Sequence, residues 1–121
     1  MTLKETLHRA FASQTEIEAD EERTESKQQG CMALSELPAR SHVTVSGILR
    51  SVTLRPREGV PALEAELYDG SGTIDLVWLG RREIAGIEPG RRLKLEGRVC
   101  AVDGRRVIFN PRYELRPRQG E

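Results

Sequence analysis

Residues 67–95 of this chain read LYDGSGTIDLVWLGRREIAGIEPGRRLKL. Apolar and polar side chains alternate on both sides of Asp69-Gly70-Ser71-Gly72, and an Asp-Gly pair favours the tight turn of a β-hairpin. A Gly- and Pro-rich elbow at residues 86–90 then separates the hairpin from another alternating segment. The pattern predicts two paired strands, a short helical connector and a further strand, an order typical of a small closed β-barrel.

The same alternation predicts five strands. We expect them at Val43–Arg55, Ala62–Tyr68, Thr73–Leu79, Arg91–Val102 and Arg105–Tyr113. Gly47 interrupts the first strand, where a bend would let one strand serve both halves of a barrel. Asn110-Pro111 is expected to end regular pairing in the last strand, because proline has no N–H to donate. We therefore predict an all-β fold: a five-stranded Greek-key barrel of the OB type, with a short connector helix after strand 3.

Charge divides the chain into two parts. Residues 1–36 hold four basic and eight acidic side chains, a net charge of −4, whereas residues 37–121 hold 15 basic and 11 acidic side chains, a net charge of +4. Apolar residues at helical spacing predict a short amphipathic helix at residues 3–12. The polar stretch that follows, up to Gly30, fits either a solvated helix or a disordered segment.

These shifts in composition predict the organisation of the chain. We expect an acidic N-terminal arm at residues 1–33, an OB-fold domain at residues 34–116 and a C-terminal tail at residues 117–121.

Several classes of protein are disfavoured. No run of about 18 apolar residues occurs, and charged side chains begin early in the chain, so neither a membrane span nor a secretory signal is expected. We expect a cytoplasmic location, with Cys31 and Cys100 as free thiols. Metal-ligand spacing is absent, and His8 and His42 stand far apart with no well-placed nucleophile between them. We therefore expect no metal, no cofactor and no enzymatic activity.

Arginines stand where an OB barrel binds its ligands. Such barrels bind oligonucleotides across strands 2 and 3, between the loops that join strands 1–2 and strands 4–5. In this chain the first loop carries Arg55 and Arg57, and the second carries Arg105 and Arg106 beside an Asp-Gly turn. Because the planar guanidinium group suits phosphate, these loops predict contacts to a nucleic-acid backbone.

The face between the two loops is predicted to be acidic. In strand 2, alternation places Glu64, Glu66 and Tyr68 towards solvent, and strand 3 adds Asp75. Three carboxylates on this face would repel phosphates. Binding should therefore be weak, salt-sensitive and weighted towards the loops.

Two aromatic residues are candidates for stacking on bases. Tyr68 is predicted on the solvent face of strand 2. Trp78 shares a face with Ile74 and Leu76, so it fits either a core or rim position or a base-stacking platform. The sequence leaves both alternatives open for Trp78.

Further arginines lie outside the two loops, at Arg81, Arg82, Arg91, Arg92, Arg112, Arg116 and Arg118. They fit either a flank that grips a phosphate backbone without reading sequence or a solubilising surface. The candidate nucleic-acid-binding residues are therefore Arg55, Arg57, Tyr68, Trp78, Arg81, Arg82, Arg105, Arg106 and Arg112.

Four segments of the chain resemble a known family. The resemblance rests on Val45-Ser46-Gly47, on residues 69–82, on residues 87–93 and on Phe109-Asn110-Pro111-Arg112-Tyr113-Glu114-Leu115. These segments are similar to small OB-fold nucleic-acid-binding domain proteins of high-GC Gram-positive bacteria. The strand–turn–strand core is also distantly similar to the wedge domain of branched-DNA helicases. Over residues 34–116 the resemblance implies binding of nucleic acid, and without motor motifs it implies no helicase activity.

Two functions from different classes remain. The first is a non-enzymatic nucleic-acid-binding module, with single-stranded or branched DNA favoured and RNA as an alternative. The second is a protein-interaction module in which the barrel docks a partner protein. Either function is compatible with a monomer or a weak homodimer, and neither needs a membrane.

The opposite charges of the two halves add a regulatory hypothesis. Residues 16–25 are acidic and the predicted groove carries arginines. We expect this segment to fold over the groove and to inhibit binding of nucleic acid.

Overall fold

The fold is given by a computed structural model, which describes residues 15–26 and 30–117. Residues 15–26 are helical and are named α1 here. The predicted amphipathic helix at residues 3–12 and Arg118 lie outside the described residues.

Six strands follow α1 and a 3₁₀ turn at Leu34–Glu36. They are β1 (His42–Leu54), β2 (Ala62–Tyr68), β3 (Thr73–Leu79), β4 (Arg92–Val102), β5 (Arg105–Phe109) and β6 (Arg112–Leu115). The predicted bounds of β2 and β3 agree with the structure, and those of β1 and β4 differ by one residue at their ends.

The strands form one sheet that closes on itself. Their order is β1-β2-β3-β5-β4-β6, and an additional pairing of β1 with β4 closes the ring. All pairings are antiparallel except the one between β3 and β5, which is parallel. This is the five-stranded Greek-key barrel of the OB fold, with β6 paired to β4 as an added short strand.

The first strand serves both halves of the barrel, as its glycine predicts. Residues 42–48 pair with β4 and residues 48–54 pair with β2, with a register shift in the second pairing between Leu49 and Ser51. A Cβ atom on Gly47 would lie 2.2 Å from the carbonyl oxygen of Tyr68. The bend therefore brings two backbones closer together than any residue with a side chain allows.

Aliphatic side chains from every strand of the ring fill the barrel. Leu67 and Leu76, from the inward faces of β2 and β3, are fully buried, as the alternation predicts. Leu34 and Leu37 ahead of β1 join the same cluster. Charged side chains of the barrel are consequently left on its outside and in its loops.

The predicted helix after β3 is wrong. Residues 80–91 carry turns and bends rather than a helix, with glycines at positive φ at Gly86 (84°) and Gly90 (87°). Ile84 and Ile87 are buried and belong to the barrel core. Ile84 and Ile87 both reach the core, and Gly86 and Gly90 both adopt a left-handed conformation that an α-helix does not contain. The segment therefore crosses the barrel as a series of turns.

The predicted last strand is divided in two. Asn110 has a φ of 51° and Pro111 follows it, so β5 ends here and the backbone turns away from β3. The chain then continues along the same edge of β4, opposite β1, and pairs there as β6. The expected end of regular pairing at Asn110-Pro111 is confirmed, and β6 is the element that the alternation does not predict.

Helix α1 is attached to the barrel through the turn between β2 and β3. Asp69 is fully buried, and its Oδ2 accepts hydrogen bonds from Arg23 Nη1 (2.6 Å) and from the backbone N–H of Leu34 (2.9 Å). Its Oδ1 accepts from the backbone N–H of Ser71 at 2.9 Å. A Cβ atom on Gly70 would lie 2.0 Å from the carbonyl oxygen of Ala19, so the helix backbone packs directly on this turn.

Candidate nucleic-acid interface

A groove of about 370 Å³ lies on the outer face of the barrel, between the loop that joins β1 to β2 and the loop that joins β4 to β5. Its floor comes from the outward faces of β1, β2, β3 and β5. Three arginines line it, namely Arg55, Arg57 and Arg105. The two loops that the sequence selects are therefore brought to one groove.

Both loops end in tight turns with left-handed residues. Glu58 (φ 49°) and Gly59 (φ 80°) connect Arg57 to Val60, which exchange backbone hydrogen bonds of 2.8 and 2.9 Å. Asp103 (φ 49°) and Gly104 (φ 77°) form the tip of the second loop. Two consecutive residues at positive φ match the twist of the flanking strands, so the arginines beside these turns stand on short, ordered hairpins.

The arginines lie against acidic residues of the floor. Arg57 Nη2 donates to Glu64 Oε1 at 2.6 Å, and Arg55 Nε lies 3.8 Å from Glu64 Oε2. On the other side, Arg105 contacts both carboxylate oxygens of Asp75, at 2.8 and 3.0 Å. Two of the carboxylates expected on this face therefore pair with the three arginines: Glu64 with Arg55 and Arg57, and Asp75 with Arg105.

The described residues that line the groove carry a slightly negative net charge. Its lining contains the three arginines together with Glu64, Glu66, Asp75 and Asp103. Exposed ion pairs of this kind contribute little to stability, about 0–1 kcal/mol each, so exchange of a carboxylate for a phosphate costs little. The groove can accept phosphates only where its own ion pairs open.

An apolar strip crosses the same face. Ala62, Val77 and Val107 are buried together there, and Val102 and Phe109 are partly buried against them. The guanidinium carbon of Arg57 lies 5.7 Å from the centroid of the Phe109 ring. The partly buried Val102 and Phe109 leave apolar surface beside a cationic group, which is the combination that a base and its phosphate need.

Phe109 is absent from the residues predicted from the sequence. Alternation within the last strand puts Val107 and Phe109 on one face, but nothing local says which face that is. The parallel register decides it, because Phe109 pairs with Val77 of β3. The register of a parallel pair depends on a crossover between distant strands, so only the folded barrel reveals it.

The two predicted stacking residues lie in different environments. Trp78 is 5% exposed, donates from Nε1 to the carbonyl of Pro111 at 3.2 Å, and meets Tyr113 edge-on with ring centroids 5.9 Å apart. It belongs to the core cluster, a position that fits the core alternative for this residue. Tyr68 is half-buried, and the guanidinium carbon of Arg50 lies 3.4 Å from its ring centroid. Neither residue lines the groove.

The other predicted arginines lie elsewhere. Arg81 and Arg82 are exposed in the connector after β3. Arg106 Nη1 donates to the carbonyl of Leu37 at 3.2 Å. Arg112, on β6, lies 3.6 Å from Glu96. None of these four is among the residues that line the groove.

Helix α1 does not cover the groove. Of the described residues, those that line it fall between Ser51 and Val107, whereas α1 lies against the β2–β3 turn and against Arg92. The expected closure of residues 16–25 over the arginines of the two loops is therefore wrong, because the helix is held by Asp69 at another part of the barrel.

Other kinds of site are not evident in residues 15–26 and 30–117. No three metal-ligating side chains come together in these ranges. Within the same part of the chain, no helix is both long and apolar enough to cross a membrane.

Comparisons with known proteins agree with the fold. No family model matches the chain, and no curated protein matches it. Among solved structures, it is similar to RecG bound to a three-way DNA junction, with a TM-score of 0.58 and 25% identity over 72% of this chain and 12% of that chain. It is also similar to a Replication Protein A heterotrimer bound to single-stranded DNA, with a TM-score of 0.51 and 15% identity over 71% of this chain and 65% of that chain.

Proposed function

We propose that this chain is a non-catalytic nucleic-acid-binding module that binds single-stranded or branched DNA in the groove between its two arginine-bearing loops. The observation that carries the proposal is the position of Arg55, Arg57 and Arg105 around an apolar strip on the outer face of an OB barrel. The likeness to RecG on a three-way DNA junction and to Replication Protein A on single-stranded DNA supports it. We also propose that the chain is related to the small OB-fold proteins of high-GC Gram-positive bacteria that its sequence resembles.

Phosphate binding proceeds by exchange of partners. In the free protein Arg57 is held by Glu64 and Arg105 by Asp75. A phosphodiester oxygen replaces the carboxylate oxygen as acceptor, and the guanidinium turns up towards the backbone of the ligand. Because each exchange leaves a carboxylate behind, the net gain is small and depends steeply on salt.

Bases then pack on the apolar strip. Phe109 does not line the groove itself, but its ring lies beside it, with its centroid 5.7 Å from the guanidinium carbon of Arg57 and its side chain packed against the buried Val77 and Val107. Base–aromatic stacking contributes about 1–3 kcal/mol for each base and has little sequence preference. Single strands and unpaired junction arms expose such bases, which is why we favour them over a closed duplex.

The functional unit in this proposal is residues 34–116. Residues 1–33 form an arm, of which Arg23 and Glu22 contact the barrel, and residues 117–121 form a tail. The module acts as a monomer or a weak homodimer.

The first experiment measures binding of fluorescent single-stranded, duplex, forked and RNA oligonucleotides at about 50 and about 200 mM salt. We expect the variant R55A/R57A to lose about tenfold or more in affinity for the preferred ligand at the lower salt. The variant R40A/R98A is the matched control, because it removes two exposed arginines that do not line the groove. Equal loss in both variants, or none in either, would overturn the proposal.

One observation favours a second function. The groove holds four carboxylates against three arginines, a balance that suits a basic protein segment as well as a polyanion. In this alternative the barrel docks a partner protein. A complex that survives nuclease treatment and is weakened by E64Q would favour it over the first function.

A further inference from the structure

A second cluster of arginines lies where β4 begins and where the chain leaves β6. Arg116 donates its backbone N–H to the carbonyl of Arg92 at 2.9 Å, which brings the two residues side by side, and Arg91 precedes them. These three arginines line a cavity of about 730 Å³, together with Glu88 of the segment between β3 and β4. None of them lines the groove described above, so this is a separate basic surface.

The acidic side of α1 lies against this surface. Glu22 Oε1 accepts a hydrogen bond from Arg92 Nη2. Glu21 and Glu25 line the large cavity, and Glu22 and Glu25 line a small adjoining cavity with Arg92 and Arg116. Acidic side chains of α1 thus share these cavities with the arginines, and the pair of Glu22 with Arg92 has the charge-assisted chemistry that a phosphate forms with arginine.

The helix satisfies these arginines only in part. The Glu22 side chain is 12% exposed, and its burial raises its pKa, an effect that Arg92 only partly offsets. Glu25 and Glu21 raise this pKa further by repulsion. Within residues 15–26 and 30–117, the buried Nε of Arg91 has no hydrogen-bond partner. The cluster therefore has an ion pair weakened by desolvation and an unused donor.

We propose that Arg91, Arg92 and Arg116 form a second phosphate-binding site for a nucleic-acid backbone, and that the acidic side of α1 occupies this site in the free protein. The proposal rests on the proposed function for the identity of the ligand, but not on the groove.

Helix α1 is well placed to act as a competitor. The buried pair of Arg23 with Asp69 anchors the helix at the β2–β3 turn, on different side chains from those that meet Arg92. A tethered competitor acts at high effective concentration, so it weakens binding of the ligand without leaving the protein. When a phosphate binds Arg92, Glu22 is released to solvent while the anchor can stay in place.

The test uses charge-removing substitutions of similar size in the full chain. We expect E22Q/E25Q to bind an oligonucleotide of about 20 nucleotides at least about threefold more tightly than wild type at about 50 mM salt, with a steeper salt dependence. The matched control is E16Q/E18Q, which removes the same charge from exposed positions of α1 that line neither cavity. Equal gains in both variants would reduce the effect to net charge and overturn the proposal.

A second pair of variants assigns the gain to the arginines. Adding R92A/R116A to E22Q/E25Q should remove the gain, whereas adding R40A/R98A should leave most of it. Thermal melting of each variant checks that it is folded. Persistence of the gain without Arg92 and Arg116 in a folded variant would also overturn the proposal.

Competition separates a nucleic-acid backbone from small phosphates. Inorganic phosphate and pyrophosphate, each added to the E22Q/E25Q complex, should displace the oligonucleotide only at concentrations that act by general salt screening. Displacement well below that range would identify a site for free phosphate and overturn the assignment to a backbone.

The two proposals fail in different ways. Loss of binding in R55A/R57A together with no difference between E22Q/E25Q and E16Q/E18Q leaves the groove standing and removes the second site. A gain specific to E22Q/E25Q with no effect of R55A/R57A supports the second site and removes the groove. No binding by any variant overturns both.

Discussion

The carboxylate of Asp69 is fully buried and lies 2.6 Å from Nη1 of Arg23, a residue 46 positions earlier in the chain. This pair joins a helix of the acidic arm to the turn at the centre of the β2–β3 hairpin. Arg23 also donates from Nη2 to the carbonyl of Cys31 at 3.3 Å, so one guanidinium connects three segments. The arm is therefore attached to the barrel at a defined point.

Removal of one partner of this pair should destabilise the protein. In R23A the Asp69 carboxylate stays buried and keeps its backbone N–H donors but loses its counter-charge. We expect a loss of about 3 kcal/mol in the free energy of unfolding, near the low end for a broken buried ion pair. Urea denaturation measures it, with E18A on the exposed side of α1 as a control that should stay within about 0.5 kcal/mol of wild type. A similar small effect in R23A would contradict the anchoring role.

This anchoring affects how the arm can be studied. Deletion of residues 1–30 removes Arg23 and leaves Asp69 without its charge partner. Such a deletion is expected to lower stability as well as to expose the arginines near β4. Point substitutions on the acidic side of α1 separate the two effects, and deletion does not.

Gly47 should tolerate no side chain. A Cβ atom there would lie 2.2 Å from the Tyr68 carbonyl oxygen, a backbone atom that cannot move without disturbing β2. We expect G47A to cost about 2–3 kcal/mol or more of unfolding free energy, through forced separation of β1 from β2. G72A is the matched control, because its Cβ would come no nearer than 3.4 Å to a neighbouring atom. Equal stability of the two variants in urea would contradict the close approach.

Release of the arginines in the groove should strengthen binding. Glu64 contacts both Arg55 and Arg57, so E64Q frees two guanidinium groups and removes a repulsive charge. We expect about three- to fivefold tighter binding of single-stranded DNA at low salt, equivalent to about 0.7–1 kcal/mol. Fluorescence anisotropy measures it. E96Q is the control, since Glu96 contacts Arg112 and His42 away from the groove. Weaker binding of single-stranded DNA by E64Q would contradict the replacement of Glu64 by a phosphate.

Phe109 should contribute through its ring. F109L keeps an apolar side chain beside Val77 and Val107 but removes the flat aromatic face. We expect affinity for single-stranded DNA to fall about fivefold or more, the lower end of the stacking range of about 1–3 kcal/mol. Y113L removes an aromatic ring that packs against Trp78 instead and should leave binding near wild type once folding is verified. An unchanged affinity in F109L would exclude the ring from the interface.

Glu22 should make the free energy of unfolding depend on pH. Burial raises its pKa in the folded protein, and the groups that face it are Arg92, Glu25, Glu21 and Arg116. A folded pKa above the unfolded value, about 4.3 for a glutamate, means that the folded state holds its proton more tightly. Relative to E22Q, the wild type should therefore be most stable below that pH and lose stability as pH rises through the raised pKa. A constant difference between the two proteins across this range, measured by urea denaturation, would contradict the shift.

Much of the barrel follows from local patterns in the chain. The alternation in β2 and β3 and the turn at Asp69 determine a hairpin with the correct bounds, because a period of two assigns each side chain to a face. Gly47 predicts the bend in β1, because a glycine within a strand indicates a place where another backbone comes too close for a side chain. The arginines of the two loops are also found from the sequence, because tight turns mark where the loops lie.

Tertiary structure decides the relationships that cross the barrel. The position of Phe109 beside Val77, the burial of Trp78 and the pairing of β6 with β4 depend on strand neighbours that are distant in the chain. The place of the acidic helix depends on Asp69, whose sequence context predicts only a turn. A buried charge must find a partner wherever the fold can supply one, and that partner, Arg23, is specified by three-dimensional proximity rather than by any local pattern.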